Sequence, residues 1–454
     1  MTLSRRKAIK FLAQMSGAVL ASPLVEQMIP AMAASGEPLY GINAFYLLTE
    51  SYRKAKENPK VNARKIITKY LQDDLKLATL REKSKINAIR FLAGNNYPID
   101  NKILGKNIFD AALWTTADRL DKQVLDILEI LMQSLGDIGF YQVPVLTNYW
   151  IEYGGILRYL EWAGRIKLSD WFDAYCNKKD ENLYEKYAIE FYTTPEIEKL
   201  FQSHVTPVVN LLKNNPKVVI IDVMNEPRGK NRYSESNQVV RDGLYSHQIV
   251  AQWLNRQAQF LSKNLPATVN ITPGEEGWLM SPVNLDLKYL KNESQYYEGI
   301  DLKTNLFENN SAFTMGSIHM YTHAGVEIPR QKDCGDKYSD RRGWDYLLQP
   351  KQPQSSESYI KMGEEWLKSR ASVFDKKPWY VGEMGWCRSQ SQEVRSPLPA
   401  KALQAERIKI YRNWTEQAFA LGARGVFLWE LAGIKHRDEF YGLNPTQLIE
   451  IFSK

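Results

Sequence analysis

The 454-residue chain is 44% hydrophobic and 12% aromatic, enough apolar matter for a large buried core. Its net charge of +7 is not gathered into a basic stripe, so nucleic acid is not an expected partner. No stretch after the N-terminal region has the unbroken apolar length of a membrane span, and the three cysteines, Cys176, Cys334 and Cys387, lack metal-ligand spacing.

Residues 1–33 read as an export signal rather than as part of the fold. Ser4-Arg5-Arg6-Lys7 precedes an apolar run from Phe11 to Leu24 and then Ala31-Met32-Ala33. That is a basic region, an apolar region and a small-residue cleavage site. The paired arginines resemble a twin-arginine signal, with Ala8 at its usual Phe position; an ordinary secretory signal or an uncleaved anchor is the alternative. The mature chain, 34–454, is expected in the periplasm or outside the cell. There two of the three cysteines can pair, and the sequence leaves open which.

From residue 40 onward short, β-rich runs alternate with helical stretches. The strands are predicted at Tyr40–Tyr46, Asn87–Ala93, Gln142–Trp150, Val218–Asn225, Ala267–Pro273, Met315–Tyr321, Trp379–Met384 and Gly425–Trp429. Each is nearly continuously apolar, as a strand buried on both faces must be. Between them Val124, Leu128, Leu131 and Leu135 recur at helical spacing, and Ile249 to Leu261 behaves alike. Eight such units without a linker or repeat predict one α/β domain, a (β/α)8 TIM barrel. An open doubly wound sheet is the alternative, but no glycine-rich phosphate loop follows the first strand. The long gap from Ile156 to Val205 predicts an excursion over the barrel rim.

A barrel carries its chemistry where the strands end, and polar or aromatic residues collect there: Arg90, Asn148, Asn225-Glu226, Glu276, His319, Glu383 and Trp429. Pro227 ends the fourth strand and holds Glu226 in a stiff turn. Glycines flank Glu383 on both sides. Cleaving an acetal needs one carboxyl that stays protonated and one that stays ionised. Either glutamate alone could equally be half of a rim salt bridge; the pair together points to glycoside hydrolysis. Beside them, Arg90 is expected to keep Glu383 ionised, while a less solvated Glu226 is raised. His319 and Tyr321, two apart on one strand, both point into the mouth. His319 and His323 lie four apart, but not on one helical face, so neither a metal nor another cofactor is expected.

These motifs resemble clan A glycoside hydrolases, most closely glycoside hydrolase family 5, through Asn225-Glu226-Pro227 on the fourth strand and Gly382-Glu383-Met384-Gly385 on the seventh. The resemblance implies that Glu226 is acid/base and Glu383 nucleophile. It also implies that Asn225 binds the sugar 2-hydroxyl, Arg90 and Tyr321 hold the nucleophile, His319 belongs to the same shell, and Trp429 floors the cleaving subsite. Nearly the whole mature chain is similar to the family's β-mannanases. The likeness runs through Gly41–Leu47, Thr147-Asn148-Tyr149-Trp150 with Tyr153-Gly154-Gly155, Phe191-Tyr192-Thr193 with Ser203-His204-Val205, Arg228 after the Pro, and Glu275-Glu276-Gly277-Trp278. Asn148 stands where cellulase-like members usually carry His. Phe91-Leu92-Ala93-Gly94 lacks the Trp that the mannanase pattern places after Arg90, no Pro follows Tyr321, and the charged loop 328–355 fits no pattern. The implied substrate is a β-1,4-linked polysaccharide, mannan or glucomannan first and β-glucan second, acted on by a monomer. Asn148, Trp150, Glu276, Trp278, Trp386 and Trp429 are the candidate sugar contacts, although Trp150, Trp278 and Trp386 could equally be packing. A transglycosylase or a catalytically dead glycan-binding barrel are the competing readings.

Overall fold

The computed structural model of the chain describes residues 37–94, 96, 111–150, 152–167, 183–229, 242–280, 285, 299–308, 311–322, 355–386, 400–433 and 441–453. The candidate signal, the three cysteines, His323 and nearly all of the loop 328–355 lie outside these residues. Eight parallel strands form one sheet: β1 (Leu39–Asn43), β2 (Ala88–Leu92), β5 (Tyr141–Val145), β6 (Ile220–Asp222), β7 (Asn270–Thr272), β8 (Gly316–Thr322), β9 (Trp379–Trp386) and β10 (Gly425–Leu428). A short antiparallel hairpin, β3 (Trp114–Thr116) and β4 (Arg119–Leu120), interrupts the series after β2. The order is β7-β6-β5-β2-β1-β10-β9-β8. Backbone hydrogen bonds close the remaining seam, from Met315 N to Ile271 O at 3.3 Å and from His319 N to Glu276 O at 3.1 Å. The eight predicted strands are therefore the eight barrel strands.

Alternation along each strand separates two cores. Leu39, Ala88, Val143, Ile220, Met315, Tyr380 and Phe427 fill the barrel floor, while Ile42, Ile89 and Val426 face the helices. Gly41 is required at its place, because a Cβ there would lie 2.1 Å from the Phe427 ring. The helix Lys122–Ile138 shows why the helical layer forms. Asp121 caps it by accepting from Gln123 N and Val124 N, Gly139 ends it at φ +99°, and Val124, Leu128, Leu131 and Leu135 are fully buried. Among the described residues, the predicted excursion is carried by the helices Gly155–Trp162, Leu183–Thr193 and Pro195–Leu212.

Several strands stop earlier than predicted, and the reason is the mouth. The β5 ladder ends at Val145 rather than Trp150. Residues 146–150 turn to meet the Gly154-Gly155 corner, where Ile156 N bonds Asn148 O at 2.9 Å and a Cβ on Gly155 would lie 1.9 Å from Trp150 O. The β6 ladder ends at Asp222, and beyond it Asn225 is held by one isolated bridge, Asn225 N to Thr147 O at 2.8 Å and Tyr149 N to Asn225 O at 3.0 Å. The early endings splay the chain around a cleft and put side chains there instead of ladder bonds.

Candidate active site

Glu226 stands at the end of β6 in the left-handed region, at φ +50°. A non-glycine residue holds that conformation only when its surroundings dictate it. Here Glu226 N is tied to Gly274 O at 2.8 Å, and Gly274, itself at φ +78°, packs so closely that a Cβ would lie 1.9 Å from Met224 O. The carboxyl is thereby aimed inward. It accepts from Trp150 Nε1 at 2.5 Å and from His319 Nδ1 at 2.7 Å. Burial pushes Glu226 above the ordinary carboxylate range, against the pull of Arg228, Trp150 and Arg90.

Glu383 reaches the same cleft by a different device. Ile318 on β8 pairs with Val381, yet His319, one residue on, pairs with Glu383. One extra residue is thus inserted in β9, and the bulge reverses the alternation. Tyr380 and Glu383 both face the interior although their spacing is odd. Glu383 accepts from Arg90 Nη1 at 2.7 Å and from the Tyr321 hydroxyl, with His319 Nδ1 at 3.6 Å. Burial raises its carboxyl, as does the Glu226 charge, while His319, Arg90 and Tyr321 pull it down. The sequence leads one to expect that Arg90 keeps Glu383 ionised; the guanidinium does pull that way, but burial opposes it.

Fully buried Arg90 links the parts. Its Nε donates to Asp222 at 2.7 Å, Nη1 also to Asn43 at 3.0 Å, and Nη2 to Asn225 Oδ1 at 2.8 Å. Burial works against its charge, but Asp222 and Glu383 outweigh that and hold the guanidinium protonated. Asn225 passes its amide on to Asn148 Oδ1 at 3.1 Å, which leaves a second N–H for a ligand. Gly382 makes room for the His319 ring, since a Cβ there would lie 3.0 Å from Nε2. Burial lowers His319 to about 4, so the ring is neutral, with its proton on Nδ1 where two carboxyls face it.

Glu226, His319 and Glu383 each offer an atom within 4.8 Å of the others. A divalent cation would need those oxygens free, whereas Arg90, Tyr321, Trp150 and His319 already donate to them. The arrangement suits proton and glycosyl transfer better than metal ligation. An oxygen of each carboxyl within 4.8 Å of the other agrees with the separation of about 5–5.5 Å of retaining glycosidases.

The remaining predicted contacts divide. Trp150 and Trp429 are half-buried at the mouth, with Trp429 edge-on to Phe45 at 5.1 Å. The Trp429–Glu430 peptide is cis. Asn148 supports Asn225. Glu276 holds Arg228 in a two-pronged pair at 2.7 and 2.6 Å, and Arg228 in turn covers the Trp150 ring at 4.7 Å. Two tryptophans correct the sequence reading. Trp278 is 1% exposed, donates to Glu276 at 3.0 Å and packs edge-on to Trp366. Trp386 is fully buried on the helix side of β9, edge-on to Tyr359 at 5.7 Å, with its backbone N bonded to Tyr411. Lying three residues beyond Glu383, it faces the opposite side of the strand. Neither is a sugar platform. Asp222 and Asn43, which hold Arg90, Arg228, which pairs with Glu276, and Tyr441, edge-on to Tyr321 at 5.2 Å, were missed as site residues. An inward Asp two turns of alternation below Glu226 in an otherwise apolar strand was the available signal for Asp222.

Paired carboxyls at this separation, at the C-terminal mouth of a parallel eight-stranded barrel, define an O-glycosyl hydrolase. Residues 35–305 match the profile of the GH family 5 beta-mannosidase-like family, and the chain belongs to glycoside hydrolase family 5. The matched span includes Arg90, Asn225 and Glu226, while Glu383 lies beyond it and is brought to the site by the fold. The chain is 24% identical over 361 residues to mannan endo-1,4-beta-mannosidase 3 of Solanum lycopersicum, covering 75% of this chain and 73% of that protein. In fold it is similar to the endo-beta-1,4-mannanase of Thermotoga petrophila, with TM-score 0.58, 17% identity, and 92% of this chain and 76% of that one covered. It is also similar to the family 5 mannosidase of Rhizomucor miehei, with TM-score 0.57, 15% identity and 92% of both chains covered.

Proposed function

We propose that the protein hydrolyses β-1,4-linked mannan or glucomannan internally, with retention, by double displacement on Glu383 and Glu226. The single observation that carries the mechanism is the approach of the two carboxyls within 4.8 Å, each with its own donors. Glu383 has a guanidinium at 2.7 Å and a phenol hydroxyl on it, so of the two it loses its proton first. Glu226, hydrogen-bonded by Trp150 and His319 rather than by a guanidinium, is the group that carries the proton. Glu383 then bonds the anomeric carbon as the glycosidic C–O bond breaks, and the departing oxygen takes the Glu226 proton. Glu226, now a base, takes a proton from water, and that water displaces Glu383. His319, neutral and hydrogen-bonded to Glu226, steadies the carboxyl in both forms. Asn225, fixed by Arg90 and Asn148, offers its free N–H to the sugar, and Trp429 its ring face. Mannan as substrate is supported by the family match, by the named activity of the tomato relative, and by Asn148 at the third strand end.

The test is the product. NMR of mannohexaose hydrolysis is expected to reveal the β-anomer first, and sizing on glucomannan a ladder of oligomers. An α-anomer first, or no activity on any mannan or β-glucan, would sink the reading; release of mannose alone would make the action exo.

We further propose export through the twin-arginine route, supported by Ser4-Arg5-Arg6-Lys7 and the apolar run behind it. Changing Arg5 and Arg6 together to Lys in the full chain is expected to retain the protein in the cytoplasm on fractionation. Unchanged export would leave an ordinary secretory signal as the better account.

A further inference from the structure

Asp222 is fully buried beneath the two glutamates, and no step above uses it. Its Oδ2 accepts from Arg90 Nε at 2.7 Å, and its Oδ1 accepts from the Tyr380 hydroxyl at 2.6 Å and from Thr272 Oγ1 at 2.8 Å. One buried cation therefore stands between two carboxylates, Asp222 on its inner side and Glu383 on its outer side. The reaction removes one of those charges. When Glu383 bonds the anomeric carbon and the aglycone leaves with the Glu226 proton, Glu383 becomes a neutral ester. Without Asp222, Arg90, which has no exposure to water, would then be an uncompensated buried cation, a costly state.

We propose that Asp222 is a positioning residue that keeps Arg90 charge-balanced through the covalent intermediate, and so favours transfer of the sugar to Glu383. The idea rests on the reading of Glu383 as nucleophile. It has a consequence opposite in sign to that of a purely geometric role. By sharing the guanidinium, Asp222 weakens its hold on Glu383. The charged and titratable groups facing Glu383 are Arg90 from β2, His319 and Tyr321 from β8, and Glu226 beyond β6; those facing Asp222 are Arg90 from β2, Tyr380 from β9 and His319 from β8. Without the Asp222 charge, Arg90 acts on Glu383 undivided. The free carboxylate is then favoured over the ester.

The test uses the full chain and a nitrophenyl β-mannoside in pre-steady-state kinetics, after a 2-fluoro mannosyl fluoride has trapped the wild type and mass spectrometry has located the adduct. Asp222→Asn is expected to slow formation of the glycosyl-enzyme by about 100-fold, to leave its hydrolysis within about 3-fold, and to move the acidic limb of kcat/KM down by about one pH unit. Tyr380→Phe keeps the charge but strips one donor from Asp222, so more of that charge falls on Arg90 and the limb moves upward by roughly 0.3 unit or more. If Asp222 only shapes Arg90, Asp222→Asn slows both half-reactions together and the limb rises as Glu383 loses its cation; either result overturns the proposal. Where Asp222→Asn does not fold, an unmoved or falling limb in Tyr380→Phe does the same. An adduct on a residue other than Glu383 overturns the nucleophile assignment first, and a Glu383 adduct with wild-type kinetics in Asp222→Asn overturns this inference alone.

Discussion

Glu383→Gln is expected to lower kcat on mannan by at least ~10⁴-fold while oligosaccharide binding, read by calorimetry, changes little. The amide keeps the shape of the carboxyl, and one oxygen can still accept from Arg90 or Tyr321, so the cleft stays formed. What is lost is the charge that attacks the anomeric carbon. The outcome is specific enough to separate this residue from Glu226. In Glu383→Gly, added azide enters from the vacated face and yields the α-glycosyl azide. In Glu226→Gly, azide displaces Glu383 from a glycosyl-enzyme already formed and yields the β-anomer. The same azide product from both variants would mean the two roles are misassigned. If wild type and Glu383→Gln behave alike on every glycan, the barrel is a binding module rather than an enzyme.

Arg90→Met is expected to cost more than activity. The side chain is wholly buried and donates to Asp222, Asn43, Glu383 and Asn225. Removing it leaves two carboxylates in the barrel without their shared cation, which costs about 3–5 kcal/mol of folding stability by urea denaturation. Residual kcat/KM should fall by about 10³-fold, because Glu383 and Asn225 lose the group that orients both. The pH profile has a definite sign. A cation beside a carboxyl favours its ionised form, so its removal raises Glu383 further than burial already does. The nucleophile must be ionised, and the acidic limb of kcat/KM therefore moves to higher pH. That is opposite to the shift expected of Asp222→Asn, so the two variants together read out how the guanidinium divides its charge. A profile unmoved in Arg90→Met would mean that Arg90 does not act on Glu383 through charge.

Much of this was legible beforehand, because barrel strands carry strong local signals. Runs such as Val218-Val219-Ile220-Ile221 are apolar on both faces, and a strand needs no distant partner to be recognised by that pattern. Glu226 before Pro227 and Glu383 between glycines announce rigid, close-packed turns at strand ends. The candidate shell of Arg90, Asn225, His319 and Tyr321 could be assembled from spacing and family likeness, and the fold does gather these four side chains around the two carboxyls. The tryptophans were less legible. Trp150, Trp278 and Trp386 look equivalent in sequence, and an indole ring serves a sugar or a core equally well.

Local pattern was enough to place the eight-unit rhythm, the barrel and a candidate pair of glutamates, since each depends on residues close together in the chain. Tertiary structure alone decided how those glutamates are aimed and charged. The bulge in β9 exists only in the register between β8 and β9, and it turns Glu383 inward while sending Trp386 outward. Asp222, one polar residue in an apolar strand, becomes a counter-ion only because closing the barrel sets it 2.7 Å from an arginine 132 positions away. Local pattern specifies which face a side chain takes; which charge it meets there is settled by strands that are distant in sequence and adjacent in space.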